Sequence, residues 1–161
     1  MSFTEIKAEE LKDNPFDLIG KQWMLITAGN EEKCNTMTAS WGGVGIMWGK
    51  PTATAYIRDS RYTKEFVDRE DYFTLAFFGE EHREALNLCG RVSGRDEDKI
   101  KEAGLTPYTC YAYLCQHTIC QDLLSQQNFL LPCAVHKPSC IQRSFLLLQT
   151  QLFHLHVYGR N

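Results

Sequence analysis

Residues 35–41 read Asn-Thr-Met-Thr-Ala-Ser-Trp, with Thr36, Thr38 and Ser40 alternating against Met37, Ala39 and Trp41. A period of two marks a β-strand, because successive side chains leave opposite faces of the pleat. This strand has company. Trp23–Thr27 is a compact apolar run ending at the turn Gly29-Asn30, Thr52–Ile57 is rich in β-formers after Lys50-Pro51, and Tyr72–Phe78 is an aromatic run closed by Gly79. Stretches of helical character lie at Thr4–Lys12, stopped before Asn14-Pro15, and at Tyr62–Glu70, Glu80–Cys89 and Asp96–Ala103. Short strands separated by short helices, without a regular βαβ rhythm, predict a mainly β fold: a β-barrel with added helices.

Composition limits the alternatives. The 161 residues are 43% hydrophobic and 23% charged, enough apolar content for one buried core. A net charge of −3 and the lack of a basic stripe exclude a nucleic acid as the expected partner. No apolar run reaches the roughly 18 residues that span a bilayer, so no membrane partner is expected. The start, Met1-Ser2-Phe3-Thr4-Glu5-Ile6-Lys7, lacks the basic and apolar stretches of an export signal, and the expected location is the cytoplasm. In that reducing compartment the seven Cys are expected as thiols.

Charge and cysteine divide the chain unevenly. Residues 1–109 hold 14 Lys+Arg against 19 Asp+Glu, whereas residues 110–161 hold only Lys137, Arg143 and Arg160 against Asp122. Cys110, Cys115, Cys120, Cys133 and Cys140 also fall in that last part. No Gly/Ser/Pro linker marks the break, so residues 1–161 are read as one domain with an unusual C-terminal part.

Two segments carry chemistry. Arg58-Asp59-Ser60-Arg61-Tyr62-Thr63 follows a strand and opens a helical stretch, with Ser60 as the expected N-cap. Free amides at a helix N-terminus flanked by two guanidiniums suit a phosphate, and Tyr62 and Thr63 add hydroxyl donors. The same hexapeptide also fits a capped surface helix with solvated arginines. The second segment is the strand itself, continued by Gly42-Gly43-Val44-Gly45. A row of short donors beside three glycines would let a flat polar heterocycle such as an isoalloxazine ring approach the backbone closely. Alone, it equally fits an amphipathic strand with a wet face and a loop.

Together these segments resemble the flavin reductase-like family that binds FMN in a split β-barrel, which includes the flavoredoxins. The resemblance runs through residues 14–29, Asn35-Thr36-Met37-Thr38-Ala39-Ser40-Trp41-Gly42-Gly43 and Met47-Trp48-Gly49-Lys50-Pro51. It continues in Tyr56-Ile57-Arg58, Ser60-Arg61-Tyr62-Thr63, Cys89-Gly90-Arg91-Val92-Ser93-Gly94-Arg95-Asp96 and Asp98-Lys99. It implies a Greek-key-like split barrel holding FMN non-covalently. Arg58, Ser60, Arg61, Tyr62 and Thr63 then form the phosphate turn. Asn35, Thr36, Met37, Thr38, Ser40 and Trp41 line the ring and ribityl chain, and Ser93, Gly94 and Lys99 come near the cofactor. Lys99 would neutralise either the phosphate or the reduced ring.

The resemblance also implies that the flavin carries the redox chemistry, with no catalytic side chain required. The sequence indeed shows no nucleophile elbow and no metal-hydrolase motif. Nor does a Gly-x-Gly-x-x-Gly follow a strand, so NAD(P)H, if it is the electron donor, would meet the flavin directly. A redox protein is the other donor, which would make the chain a non-enzymatic electron carrier. A homodimer is expected, because family sites lie near a dimer interface.

Beyond Pro107 the motifs fade to Gln121-Asp122-Leu123, Asn128-Phe129-Leu130, Phe153-His154, Tyr158 and Gly159. The tail is therefore expected to close the barrel less well than family sequences do. Its Cys133-x-x-His136-x-x-x-Cys140, with Cys110, Cys115, His117 and Cys120 upstream, leaves a zinc-binding or interaction module as a further reading, without a tight Cys-x-x-Cys knuckle to support a metal. Cys34, beside the strand, is a candidate redox-active thiol, and Cys89 a small buried hydrophobe.

Overall fold

The computed structural model describes residues 4–6, 8, 11–47, 49–70, 72–112, 115–122, 129–136, 150–155 and 157–159, with side-chain surroundings through residue 107. In chain order its elements are β1 (Thr4–Ile6), α1 (Pro15–Asp17) continued by a π-helical turn (Leu18–Gln22), β2 (Met24–Gly29), β3 (Cys34–Ala39), β4 (Gly42–Met47) and β5 (Lys50–Tyr56). Then come α2 (Tyr62–Arg69), β6 (Tyr72–Phe77), a 3-10 turn (Glu80–His82), α3 (Arg83–Arg91) and α4 (Lys99–Glu102). The last strands are β7 (Thr106–Ala112), β8 (Cys115–Asp122), β9 (Phe129–His136), β10 (Thr150–Leu155) and β11 (Val157–Gly159).

The strands pair in the order β3-β2-β6-β9-β10-β5-β4, with β11 joining β9 to β1, while β7 and β8 form a separate hairpin. The fold is thus sheet-rich with a few helices. The described pairings form an open path with β3 and β4 at its two ends.

β2 explains the packing. All six of its residues are buried. Met24, Ile26 and Ala28 pack with Phe66 and Val67 of α2, whereas Leu25 packs with Leu86 and Cys89 of α3. A strand covered on both faces reads as a continuous apolar run, which is why Trp23–Thr27 lacks alternation. The β2–β3 hairpin turns at Gly29, whose φ of +134° suits glycine, and Asn30 Oδ1 accepts from the amides of Glu32 and Lys33 at 3.0 Å each.

Three helix expectations are corrected. The expected helix at Thr4–Lys12 does not start as one. Residues 4–6 form β1, in register with the C-terminal strand (Thr4↔Gly159, Ile6↔Val157), so its backbone partners come from tertiary pairing. Ile6 and Leu11, the large apolar side chains of that stretch, were too few among its charges to hold a short helix. Helix instead begins where an end was expected: Asn14 caps α1, accepting from Phe16 N at 3.0 Å, with Pro15 in the first helical position. Asp96–Ala103 shortens to α4 because Asp98 is the cap, its carboxylate accepting from Lys101 N at 3.2 Å.

The C-terminal part supplies the middle of the sheet. β9 lies between β6 and β10, with Leu131 opposite Leu75, and β10 lies between β9 and β5. The family-like fragments around 129–130, 153–154 and 158–159 fall on β9, β10 and β11. Among the described residues no helix is long and apolar enough to cross a membrane.

Candidate cofactor site

β3 is the outermost strand on its side, with α2 packed toward one face and α3 toward the other. At its C-terminal end an open cleft of about 130 Å³ is lined by Met37, Thr38, Ala39, Ser40, Trp41, Tyr56, Arg58 and Arg61. Trp41 is 60% exposed at its rim. Ser40 and Trp41 follow β3, which ends at Ala39.

The arginines meet at the start of α2. Ser60 does not cap that helix: Arg61 occupies the N-cap position and makes no side-chain capping bond. Arg61 N donates to Arg58 O at 3.0 Å, closing a turn that places Ser60 one residue too early to cap. The amides at the beginning of α2 therefore have no side-chain oxygen from Ser60 on them. The Arg58 side chain is exposed and makes no hydrogen bond or ion pair among the described residues. Arg61 Nη1 donates to Gly90 O at 2.8 Å. Burial, and secondly the neighbouring Arg58, pull the Arg61 pKa down. Two cations crowded beside a helix N-terminus, one unpaired and one partly desolvated, favour an anion between them.

Several expected contact residues are engaged by neighbouring elements, including Met37 and Thr38 of the lining. Thr36 is 0% exposed, so the hydroxyl row does not present one wet face. Its Oγ1 lies 2.9 Å from Thr27 Oγ1 and donates to Ile26 O at 3.2 Å, because Thr27 sits opposite it on the buried strand. Thr38 Oγ1 donates to Leu86 O of α3. Thr63 is 1% exposed, and its hydroxyl accepts from Asn35 Nδ2 at 2.9 Å. Met37 faces the core. Tyr62 packs edge-on against Phe66 at 5.0 Å between ring centroids.

The loop from α3 to α4 closes on the same group. Ser93 Oγ accepts from Arg95 N at 3.2 Å. Gly94 lies against the Asn35 carboxamide so closely that a Cβ would collide with Oδ1. Lys99 lies under this loop, with its ammonium bonded to backbone carbonyls. Its Nζ donates to Cys89 O at 3.1 Å and Val92 O at 3.0 Å, at the C-terminus of α3. Burial lowers its pKa more than the nearby Cys89 raises it, and Arg61 adds to the lowering.

Sequence reasoning missed three participants. Tyr56 lines the cleft, Gly90 O receives Arg61, and Arg95 bridges elements. The Arg95 guanidinium pairs with Glu65, reaches Ser60 O at 3.4 Å and lies 4.8 Å from the Tyr62 ring centroid. All three stood within family-like motifs, but a motif does not say which carbonyl a guanidinium will find.

The two described thiols, Cys34 and Cys89, are not activated. Burial, and secondly Asp98, raise the Cys34 pKa, and burial pushes the Cys89 thiol up to about 11 despite nearby Lys99. A thiol held protonated is a poor nucleophile, against the redox-active expectation for Cys34. Among the described residues no cluster of His, Cys, Asp or Glu is placed to hold a metal. The tail side chains considered for zinc lie outside the described residues.

A flavin reductase like domain model matches residues 16–146, and the chain belongs to that family. The match runs well past Pro107, where individual motifs fade. No curated protein matches the sequence. Among solved structures, an FMN-binding domain of a flavin reductase-like enzyme from Shewanella baltica aligns with TM-score 0.74 at 14% identity, covering 98% of this chain and 77% of that one. Flavoredoxin of Desulfovibrio vulgaris aligns with TM-score 0.68 at 15% identity, covering 97% and 76%. An NADH:FAD oxidoreductase from Streptomyces globisporus aligns with TM-score 0.58 at 12% identity, covering 84% and 72%. At such identities the likeness concerns fold.

Proposed function

We propose that the chain is an FMN-binding oxidoreductase of flavin reductase or flavoredoxin type, working in the cytoplasm and built on a split barrel. The observation that carries this reading is the Arg58 guanidinium, without a hydrogen-bond or ion-pair partner among the described residues, beside Arg61 at the start of α2 and opening onto the cleft at the end of β3. Arg58, Arg61 and the first amides of α2 would hold the phosphate, and Ser40, Trp41 and Tyr56 would border the rest of the ligand. Thr36, Thr63, Asn35, Ser93 and Gly94 would shape the site from behind. Bound FMN supplies the electron-accepting chemistry. The protein's part is to bind, orient and shield it.

A cleft of about 130 Å³ is smaller than the roughly 300 Å³ at which small-molecule pockets begin. With Trp41 exposed at the rim, this supports a homodimer whose second copy completes the wall. The names of the structural neighbours support a flavin ligand and leave both NAD(P)H and a redox protein as donors.

Visible absorption of the purified protein, before and after soaking in FMN, tests the reading directly: a colourless protein that stays colourless overturns it. Arg58→Ala or Arg61→Ala is expected to weaken FMN binding by about 1.5–3 kcal/mol. Riboflavin, which lacks the phosphate, should be affected far less, and equal losses for both ligands would contradict the placement. Stopped-flow bleaching of bound FMN by NADH or NADPH then separates a reductase from a carrier reduced by a protein.

A further inference from the structure

We propose that Lys99 is a positioning residue for the phosphate end of the site, acting through the C-terminus of α3 and Arg61 and not by touching the ligand. The proposal rests on the FMN reading above, but its geometry is independent of it. Lys99 is 3% exposed and has no carboxylate partner among the described residues. Two of its ammonium donors are spent on Cys89 O and Val92 O, at 3.1 and 3.0 Å. Of the two carbonyls between them in sequence, Gly90 O is the acceptor of Arg61 Nη1 at 2.8 Å. The peptide on which Arg61 leans is therefore pinned on both sides by one lysine.

The rest of α3's last turn is fastened as well. Val92 N donates to Leu88 O at 2.9 Å. Thr38 Oγ1 donates to Leu86 O, and Gly90 approaches Thr38 so closely that a Cβ would stand 3.3 Å from the threonine Cβ. A helix C-terminus exposes carbonyls of partial negative charge, which a buried ammonium and a guanidinium satisfy together. Lys99 is carried by α4, so its bonds also fix where α3 ends relative to the next helix. Without them, one buried and one part-buried carbonyl lose this donor and the final turn relaxes toward water. Gly90 O moves with that turn, and Arg61 loses its register with Arg58.

The test is a double-mutant cycle on Lys99→Met and Arg61→Met, titrated with FMN and with riboflavin. Lys99→Met is expected to weaken FMN about tenfold while leaving riboflavin within about twofold. The double variant should bind FMN no more weakly than Arg61→Met alone, because both changes disable one unit. Multiplicative losses, or equal losses for the two ligands, would overturn the proposal. So would a shifted midpoint potential of the bound flavin in Lys99→Met, since that would place the ammonium at the ring.

A ligand-free readout separates the two layers. Exchange of the Arg61 guanidinium protons, followed by NMR, should speed up in Lys99→Met, and unchanged exchange would refute the linkage. Lys99→Gln, which keeps a donor arm, is measured alongside and should fall between wild type and Lys99→Met. It carries the test if Lys99→Met does not fold. Wild-type protein that fails to bind FMN would remove the cofactor reading, while the exchange rates still decide whether Lys99 holds Arg61.

Discussion

The two end strands of the sheet, β3 and β4, are built in opposite ways. On β3 every side chain from Asn35 to Ala39 is buried or half-buried, and its polar groups are bonded to neighbouring elements: Asn35 to Thr63, Thr36 to β2, Thr38 to α3. Arg61 then ties the helix on one face to the helix on the other through Gly90. β4 carries Gly42, Gly43 and Gly45 and leaves Ile46 70% exposed. Among the described residues the side chains of one end are fixed and those of the other left bare, and an unpaired strand edge is a template for further pairing. The cationic groups sit at the fixed end. Holding them in place before a ligand arrives reduces the ordering cost of binding.

The largest expected contrast between these ends is in stability. Phe66 of α2 is buried between β2 and the body of the core and braces the helix that carries Arg61. Phe66→Ala is expected to cost about 3–5 kcal/mol in urea unfolding. Ile46→Ala, on the bare end, should change stability by less than about 0.5 kcal/mol. Similar costs at both positions would mean that β4 is covered in solution, and a concentration-dependent midpoint would identify a second copy as the cover.

The same contrast shows what the sequence made legible. The period-two run at 35–41 identified β3, and the apolar runs identified β2 and β6, because burial writes itself into residue type. That Arg58 and Arg61 stand at a helix start was readable from the strand before them and the helical run after them. What could not be read was the direction of individual polar side chains. Thr36 and Thr38 share one face, yet one is sealed against Thr27 and the other bonded to α3, and only the strand order decides that. Lys99 was assigned to a ligand because a lysine near such a site suggests charge neutralisation, whereas the nearest acceptors are carbonyls brought in by a helix end. Residues 4–6 were misread because their partner lies at the far end of the chain.

A pH experiment probes the fixed end, where Cys89 is fully buried. Its thiol is pushed from 9.0 up to about 11. The folded state therefore keeps a proton that the unfolded chain releases above pH 9. That stabilisation is complete below pH 9 and is lost as the pH rises through 11, by on the order of 2–3 kcal/mol. Lys99 works in the other direction. Its lowered pKa means the unfolded chain holds the extra proton, so its contribution grows as the pH climbs toward 10.5. Cys89→Ala isolates the thiol: the alkaline loss between pH 9 and 11 should shrink, and a loss unchanged from wild type would show that the thiol is not its source. The β4–β5 hairpin, residues 42–56, contains no cysteine.

The smallest effects sharpen the comparison at single methyl groups. Gly94 and Gly43 each lack a side chain, but for different reasons. At Gly94 a Cβ would collide with the buried Asn35 Oδ1, so Gly94→Ala must turn the carboxamide and break its bond to Thr63. The expected cost is about 1–2 kcal/mol, that of a buried amide left without its partner. At Gly43 nothing among the described residues lies within 4 Å of a Cβ. Alanine there restricts the unfolded chain without strain in the folded one, and Gly43→Ala should be neutral or stabilising by about 0.4–1 kcal/mol. Urea midpoints of the two variants measure both. If Gly43→Ala instead destabilises, the outward face of β4 is occupied in solution, and its glycines, like Gly94, are there to admit a neighbour.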